Sequence, residues 1–203
     1  MGLAIFEPEI FNHIPSNMEY DIGGELIPDI VHKKLNVHGV DIPYEWVDIG
    51  NVNDFYNATC LILNGKINNY NIFAKEIKKG IFVGLNANIN FDEVTIVPPV
   101  FIGSSTVVEN GAIIIGPVVI SSNCHIQKNV FLQECIIDDY KRIHPLAKIK
   151  NKILSASNII SFDETVVNIE QSDINWLIED RRAKHVKTSL EIRLNDIVKK
   201  EAL

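Results

Sequence analysis

The stretch VTIVPPVFIGSSTVVENGAIIIGPVVISSNCHIQKNVFLQECI, residues 94–136, decides the fold, because an aliphatic residue returns in it at every sixth position. Ile96, Ile102, Val108, Ile114, Ile120, Ile126 and Leu132 make up that series. Four residues after each comes a second series of mostly small or β-branched side chains: Val100, Thr106, Ala112, Val118, Cys124, Val130 and Ile136. A helix repeats every 3.6 residues and a strand every two, so neither produces this period. A three-sided parallel solenoid does, since each side uses six residues and sends one large side chain inward. The expected fold is therefore a left-handed parallel β-helix of hexapeptide repeats, with the compact second series near its corners. Gly103, Gly111, Gly116 and the Ser121-Ser-Asn123 run supply turn residues between the sides.

Counted strictly in sixes, the next inward position is Asp138, and an unpaired carboxylate there would be costly. The solenoid is accordingly expected to occupy residues 71–137 and to make about two turns over the strict repeat. Residues 138–203 are expected to form an irregular segment or hairpin followed by C-terminal helices. Ser172 or Asp173 is placed to cap a helix from Ile174 to Lys184, and Leu190, Leu194, Ile197 and Val198 then form one apolar stripe.

Upstream, residues 1–70 read as mixed α/β. Gly2 to Phe6, Val37 to Val40 and Tyr44 to Val47 have the composition of short strands. Glu7 to Ile14 is a helical turn or two with Pro8 suited to its first position, and Glu25 to Lys34 is a second helix with Pro28 near its start. Asn51 or Asn53 caps a third helix through Leu63, which Gly65 terminates.

The chain has 203 residues, 46% of them hydrophobic, with a formal net charge of −7, so it is able to bury a core and has no basic face suited to nucleic acid. The basic cluster of Arg181, Arg182, Lys184, His185 and Lys187 follows Glu179 and Asp180 and reads as a solvated helix face. Cys60, Cys124 and Cys135 show no metal or disulfide spacing and read as small apolar residues. No apolar run approaches the length of a membrane span, and no basic leader precedes Glu7-Pro8, so a soluble cytoplasmic protein is the default expectation.

Gly2-Leu-Ala-Ile-Phe-Glu-Pro-Glu-Ile-Phe, Gly24-Glu-Leu-Ile-Pro28, Glu45-Trp-Val-Asp-Ile-Gly50 and Asn53-Asp-Phe-Tyr-Asn-Ala58 follow one another in this order. In that order they resemble the sugar-phosphate nucleotidyltransferases of the GDP-mannose and dTDP-glucose pyrophosphorylase type, many of which carry a C-terminal left-handed β-helix. The resemblance covers residues 2 to about 136, and Trp46-x-Asp48-Ile-Gly50 is its most specific part. It implies a transferase that joins a sugar 1-phosphate to a nucleoside triphosphate and releases pyrophosphate, with Mg²⁺ as cofactor. It further implies that Asp48 matches the family's second metal-binding aspartate, supported by Trp46 and Gly50. The Gly-x-Gly-Thr-Arg-Leu phosphate loop, the first metal-binding aspartate and the Glu-Lys-Pro segment of that family do not occur in this sequence. Residues 1–70 therefore look like the C-terminal part of a nucleotidyltransferase domain, incomplete and inactive alone. The partner expected is a complementary N-terminal half or further copies of the chain.

Two other functions are compatible with the repeat. His125 precedes the inward Ile126, faces outward, and would serve as the general base of a hexapeptide-repeat acyltransferase. A non-catalytic assembly or regulatory subunit is the third possibility, since solenoid faces and ends are natural contact surfaces. A β-helix carbonic anhydrase is excluded, because His13, His32, His38, His144 and His185 show no ligand spacing and fall outside the strict repeat.

Overall fold

The computed structural model describes residues 3–41, 43, 46–68 and 70–182, and the chain divides into two units, Met1–Tyr44 and Glu45–Leu203. The first unit contains a 3₁₀ turn, Pro8–His13, and a π turn, Ile22–Leu26, that runs into helix α1, Ile27–His32. Pro8 and Pro28 sit in the first turn of their helical segments, where a missing N–H costs nothing. Asp21 precedes the π turn and its side chain accepts from the amide of Gly24. The strands expected near residues 2–6, 37–40 and 44–47 are not formed among the described residues. An extended segment becomes a strand only beside a hydrogen-bonding neighbour, and among the described residues none of these has one.

The second unit opens with helix α2, Val52–Leu63, capped by Asn51, whose side chain accepts from the Asp54 amide at 2.9 Å. The solenoid follows. Its strands are β1 (Lys75–Lys78), β2 (Ile81–Val83), β3 (Asn88–Ile89), β4 (Thr95–Val97), β5 (Val100–Ile102), β6 (Val107–Val108) and β7 (Ile113–Ile120). They continue as β8 (His125–Ile126), β9 (Phe131–Ile137), β10 (Lys141–Ile143) and β11 (Lys148–Ser155). Three parallel ladders define three sides. On one, Ile96 pairs with Ile114 and Ile114 with Leu132, which pairs with Ile149. On the second, Ile102, Ile120, Ile137 and Leu154 stack in turn, and on the third Val108, Ile126 and Ile143 do so. These lead residues are the core: Ile102, Ile114, Ile120, Ile126, Leu132, Ile137, Ile143 and Leu154 are all fully buried.

The solenoid runs past Asp138 and makes four turns, because Ile81, Val100, Val118, Cys135 and Lys152 lie in register on successive coils. The corners explain the difference from a strict count in sixes. In the earlier coils two residues turn the corner, Pro98-Pro99 and Gly116-Pro117, each with a cis peptide. In the later coils Glu134 or Asn151 alone does so, at φ of 49° and 51°. Dropping one residue moves the inward positions from Ile136 and Asp138 to Cys135 and Ile137 and leaves Asp138 outside. There its carboxylate accepts from the amides of Asp139 and Ala156, at 2.8 and 3.4 Å.

Both ends of the last coil are closed by antiparallel strands. β12, Asn158–Ser161, folds back on β11 and carries β13, Val166–Asn168. β14, Ile178–Asp180, pairs with β10. The helix expected from Ile174 is thus replaced in its described part by turns and a strand. Ile178 enters the core beside Ile143, and the open edge of β10 supplies backbone partners that a helix would leave unused. The apolar stripe of Leu190, Leu194, Ile197 and Val198, and the basic residues Lys184, His185 and Lys187, lie outside the described residues.

An ionic cluster holds β14 in place. Lys141 occupies the inward position that Thr106 and Cys124 fill in the coils before it, and it is 1% exposed. Its Nζ donates to the Ala156 carbonyl and lies 3.4 Å from Asp180 Oδ2. Glu179 lies 3.4 Å from Arg142 and 3.3 Å from His144. Arg181 donates to the Asn123 carbonyl at 2.6 Å, while Arg182 bonds Asp180 and lies over the Tyr140 ring. Bonds from Arg182, with the nearby charge of Lys141, hold the Asp180 carboxyl well below the usual carboxylate range.

A depressed carboxyl contributes stability above its unfolded pKa of about 3.9, and that stability is lost as pH falls toward the folded value. Thermal melts between about pH 3 and 6 should therefore show the wild type losing stability on acidification more steeply than Asp180→Asn, which starts lower at neutral pH. Close backbone approach gives a second expectation. A Cβ on Gly103 would meet the Ser121 carbonyl carbon at 2.5 Å, whereas one on Gly39 meets nothing within 4 Å. Gly103→Ala should lower the denaturation midpoint markedly and Gly39→Ala hardly at all. Ile120→Ala, which empties an inward position, should cost about 2–5 kcal/mol by urea titration.

Candidate functional site

Trp46, Asp48 and Gly50 lie on the chain that leads into α2. All three are exposed, Trp46 at 57%. The Gly50 amide donates to the Asp54 carboxylate at 3.3 Å, which ties the segment to the first turn of the helix. Asp48 is three residues before the cap, in chain outside any helix or strand rather than at a strand end. Among the described residues no three His, Cys, Asp or Glu side chains converge as a metal site. The donors present therefore do not fit a complete Mg²⁺ site, since a hard cation needs several oxygens and Asp48 would supply one carboxylate.

What fixes this segment is the seat of α2 on the solenoid. The Tyr56 ring is 4.4 Å from that of Phe162, and its hydroxyl donates to the Pro117 carbonyl at 3.4 Å. Asn53 donates to the Phe162 carbonyl at 3.0 Å. Burial pushes the Tyr56 hydroxyl pKa up, so it stays a neutral donor. Phe55 and Thr59 of α2 face Val119, Ile136 and Ile153 of the solenoid across a cleft of about 230 Å³, completed by Ser121, Asp138, Leu154 and Ser155. The helix was legible in its cap and periodicity. Its landing place was not, because Phe162 stands alone among turn-forming residues.

His125 faces outward on β8, as its position before Ile126 requires. Its Nε2 is 2.6 Å from Glu109 Oε1, and the second oxygen of Glu109 accepts from the Lys128 amide at 3.0 Å. Arg142 stands beside His125 on the neighbouring strand. His144, which the strict repeat left outside the solenoid, is on the same side one position further along β10's chain, against Glu179. Burial pushes both the Cys124 and the Cys135 thiols up to about 12. No described helix is long and apolar enough to cross a membrane.

No family model matches the chain. Over 181 residues, 89% of its length, the chain is 35% identical to the UTP–glucose-1-phosphate uridylyltransferase of Synechocystis sp. (strain ATCC 27184 / PCC 6803 / Kazusa). It spans 47% of that protein, about half the length of the curated relative it matches. The resemblance to a sugar-phosphate nucleotidyltransferase, drawn from the short motifs, thus extends over nearly the whole chain.

Tyr56→Ala removes both the ring contact and the hydroxyl that seat α2. Limited proteolysis should then cut within residues 46–65 much faster than in the wild type, while the solenoid remains protected.

Proposed function

We propose that this chain is the solenoid-bearing portion of a sugar-1-phosphate nucleotidyltransferase, and that the solenoid is left-handed and serves assembly or regulation. In the reaction, a phosphate oxygen of the sugar 1-phosphate attacks the α-phosphorus of a nucleoside triphosphate and pyrophosphate leaves. The observation that carries this reading is the 181-residue similarity to the uridylyltransferase, which makes UTP and glucose 1-phosphate the first substrates to try. Two anions must be held and neutralised in such a step. Asp48 without a phosphate loop cannot do so, and this sequence contains no such loop. The metal ligands beyond Asp48 and the loop amides are therefore supplied by a complementary segment, in the same polypeptide or another.

The first unit supports that need for a partner. Leu3, Ile5, Phe11 and Val40 are 94%, 90%, 73% and 75% exposed, and apolar side chains so displayed suit burial against another surface. Residues 3–6 and 36–40 belong to no helix or strand, and their backbone groups suit joining a sheet. A pyrophosphate-release assay tests the proposal. The purified chain with UTP and glucose 1-phosphate should release none, and adding a polypeptide that bears the Gly-rich loop should restore release that Asp48→Asn abolishes. Turnover by the chain alone would overturn the requirement for a complementary segment.

The Glu109–His125 pair favours a second reading, acyl transfer. A carboxylate that fixes the orientation of an imidazole is the arrangement a general base requires. Coenzyme A that raises the thermal midpoint would favour it, and an unchanged midpoint at millimolar coenzyme A would remove it.

A further inference from the structure

We propose that the cleft between α2 and the second side of the solenoid binds a small organic ammonium carried on a short aliphatic body. Two rows of side chains in register form its solenoid wall. Val119, Ile136 and Ile153 lie side by side on β7, β9 and β11 and make an aliphatic floor, over which Phe55 projects from α2. Two residues further along each strand come Ser121, Asp138 and Ser155. The cleft therefore changes along its length from apolar to a line of three oxygen-bearing side chains with a carboxylate at the centre.

The chemistry of that line selects the ligand. Among the described residues the Asp138 carboxylate accepts from backbone N–H donors, Asp139 at 2.8 Å and Ala156 at 3.4 Å, which orient its charge without cancelling it. Among the described residues no lysine or arginine lines the cleft. Arg182, whose cation acts electrostatically on Asp138, is already held by Asp180 and the Tyr140 ring. An ammonium has three N–H donors and no acceptor, which matches a carboxylate flanked by two hydroxyls. Its aliphatic body would cover the valine and two isoleucines. A carboxylate or phosphate would be repelled by Asp138, and an alcohol would leave its charge unanswered.

The test uses the full chain with n-butylammonium, 1-butanol and butanoate as probes, followed by amide chemical shifts and calorimetry. Butylammonium should bind saturably, shifting amides of α2 and of residues 136–155. Butanol, and butylammonium with Asp138→Asn, should each bind at least about tenfold more weakly, as loss of a charged hydrogen bond implies. Ser121→Ala with Ser155→Ala provides a second variant that leaves the carboxylate in place and should weaken binding less. Equal affinity for butanol and butylammonium would reduce the cleft to an apolar slot and overturn the proposal. So would undiminished binding by a folded Asp138→Asn variant, or no saturation by the folded wild type. None of these readouts depends on nucleotidyl transfer.

Discussion

Everything in the second unit depends on inward aliphatic side chains landing on top of one another from coil to coil. The parallel ladders supply backbone hydrogen bonds between coils, but such bonds are worth little net against water. The columns Ile96–Ile114–Leu132–Ile149 and Ile102–Ile120–Ile137–Leu154 exclude water from the interior and so fix the register of the ladders. A slip of one residue would turn every one of these side chains outward. The corners serve that requirement: they consume one residue or two, as needed, to bring the next aliphatic residue back into its column.

The outer faces then carry what the interior cannot. With the inside committed to isoleucine, leucine and valine, polar chemistry appears on outward positions: Glu109 and His125 on the third side, Ser121, Asp138 and Ser155 on the second. Alpha-2 uses the second side as its platform, with Tyr56 and Asn53 gripping the Phe162 turn and the Pro117 corner. Asp48 thereby stands at a defined distance along the chain from a rigid support. Its own side chain is exposed.

The periodic core was legible because seven aliphatic residues in step leave few alternatives. Its length was not. Cys135-Ile136-Ile137 allows either of two phases, and only Glu134 in a left-handed conformation selects the one that continues. The hairpin of β12 and β13 matched the turn-rich composition, whereas Ile178 was misjudged because a helical pattern of apolar residues says nothing about a waiting strand edge. The strand-like segments of the first forty residues show the converse: their composition suits strands, yet among the described residues no neighbouring strand pairs with them. For the site, Asp48, Trp46 and Gly50 were recognisable as a motif, but the cleft under α2 brings together residues a hundred positions apart, which no local spacing reveals.

Lys141 gives the solenoid a definite length. In the coils before it the same column holds Thr106 and Cys124, side chains short enough for another coil to lie upon. A lysine there needs an oxygen at its tip, and it finds the Ala156 carbonyl and Asp180 only where the chain has stopped coiling. In a repeat architecture, where nothing in the repeat itself says how many units to make, this residue acts as a punctuation mark: it stands in the coil on which β12 and β14 fold back antiparallel.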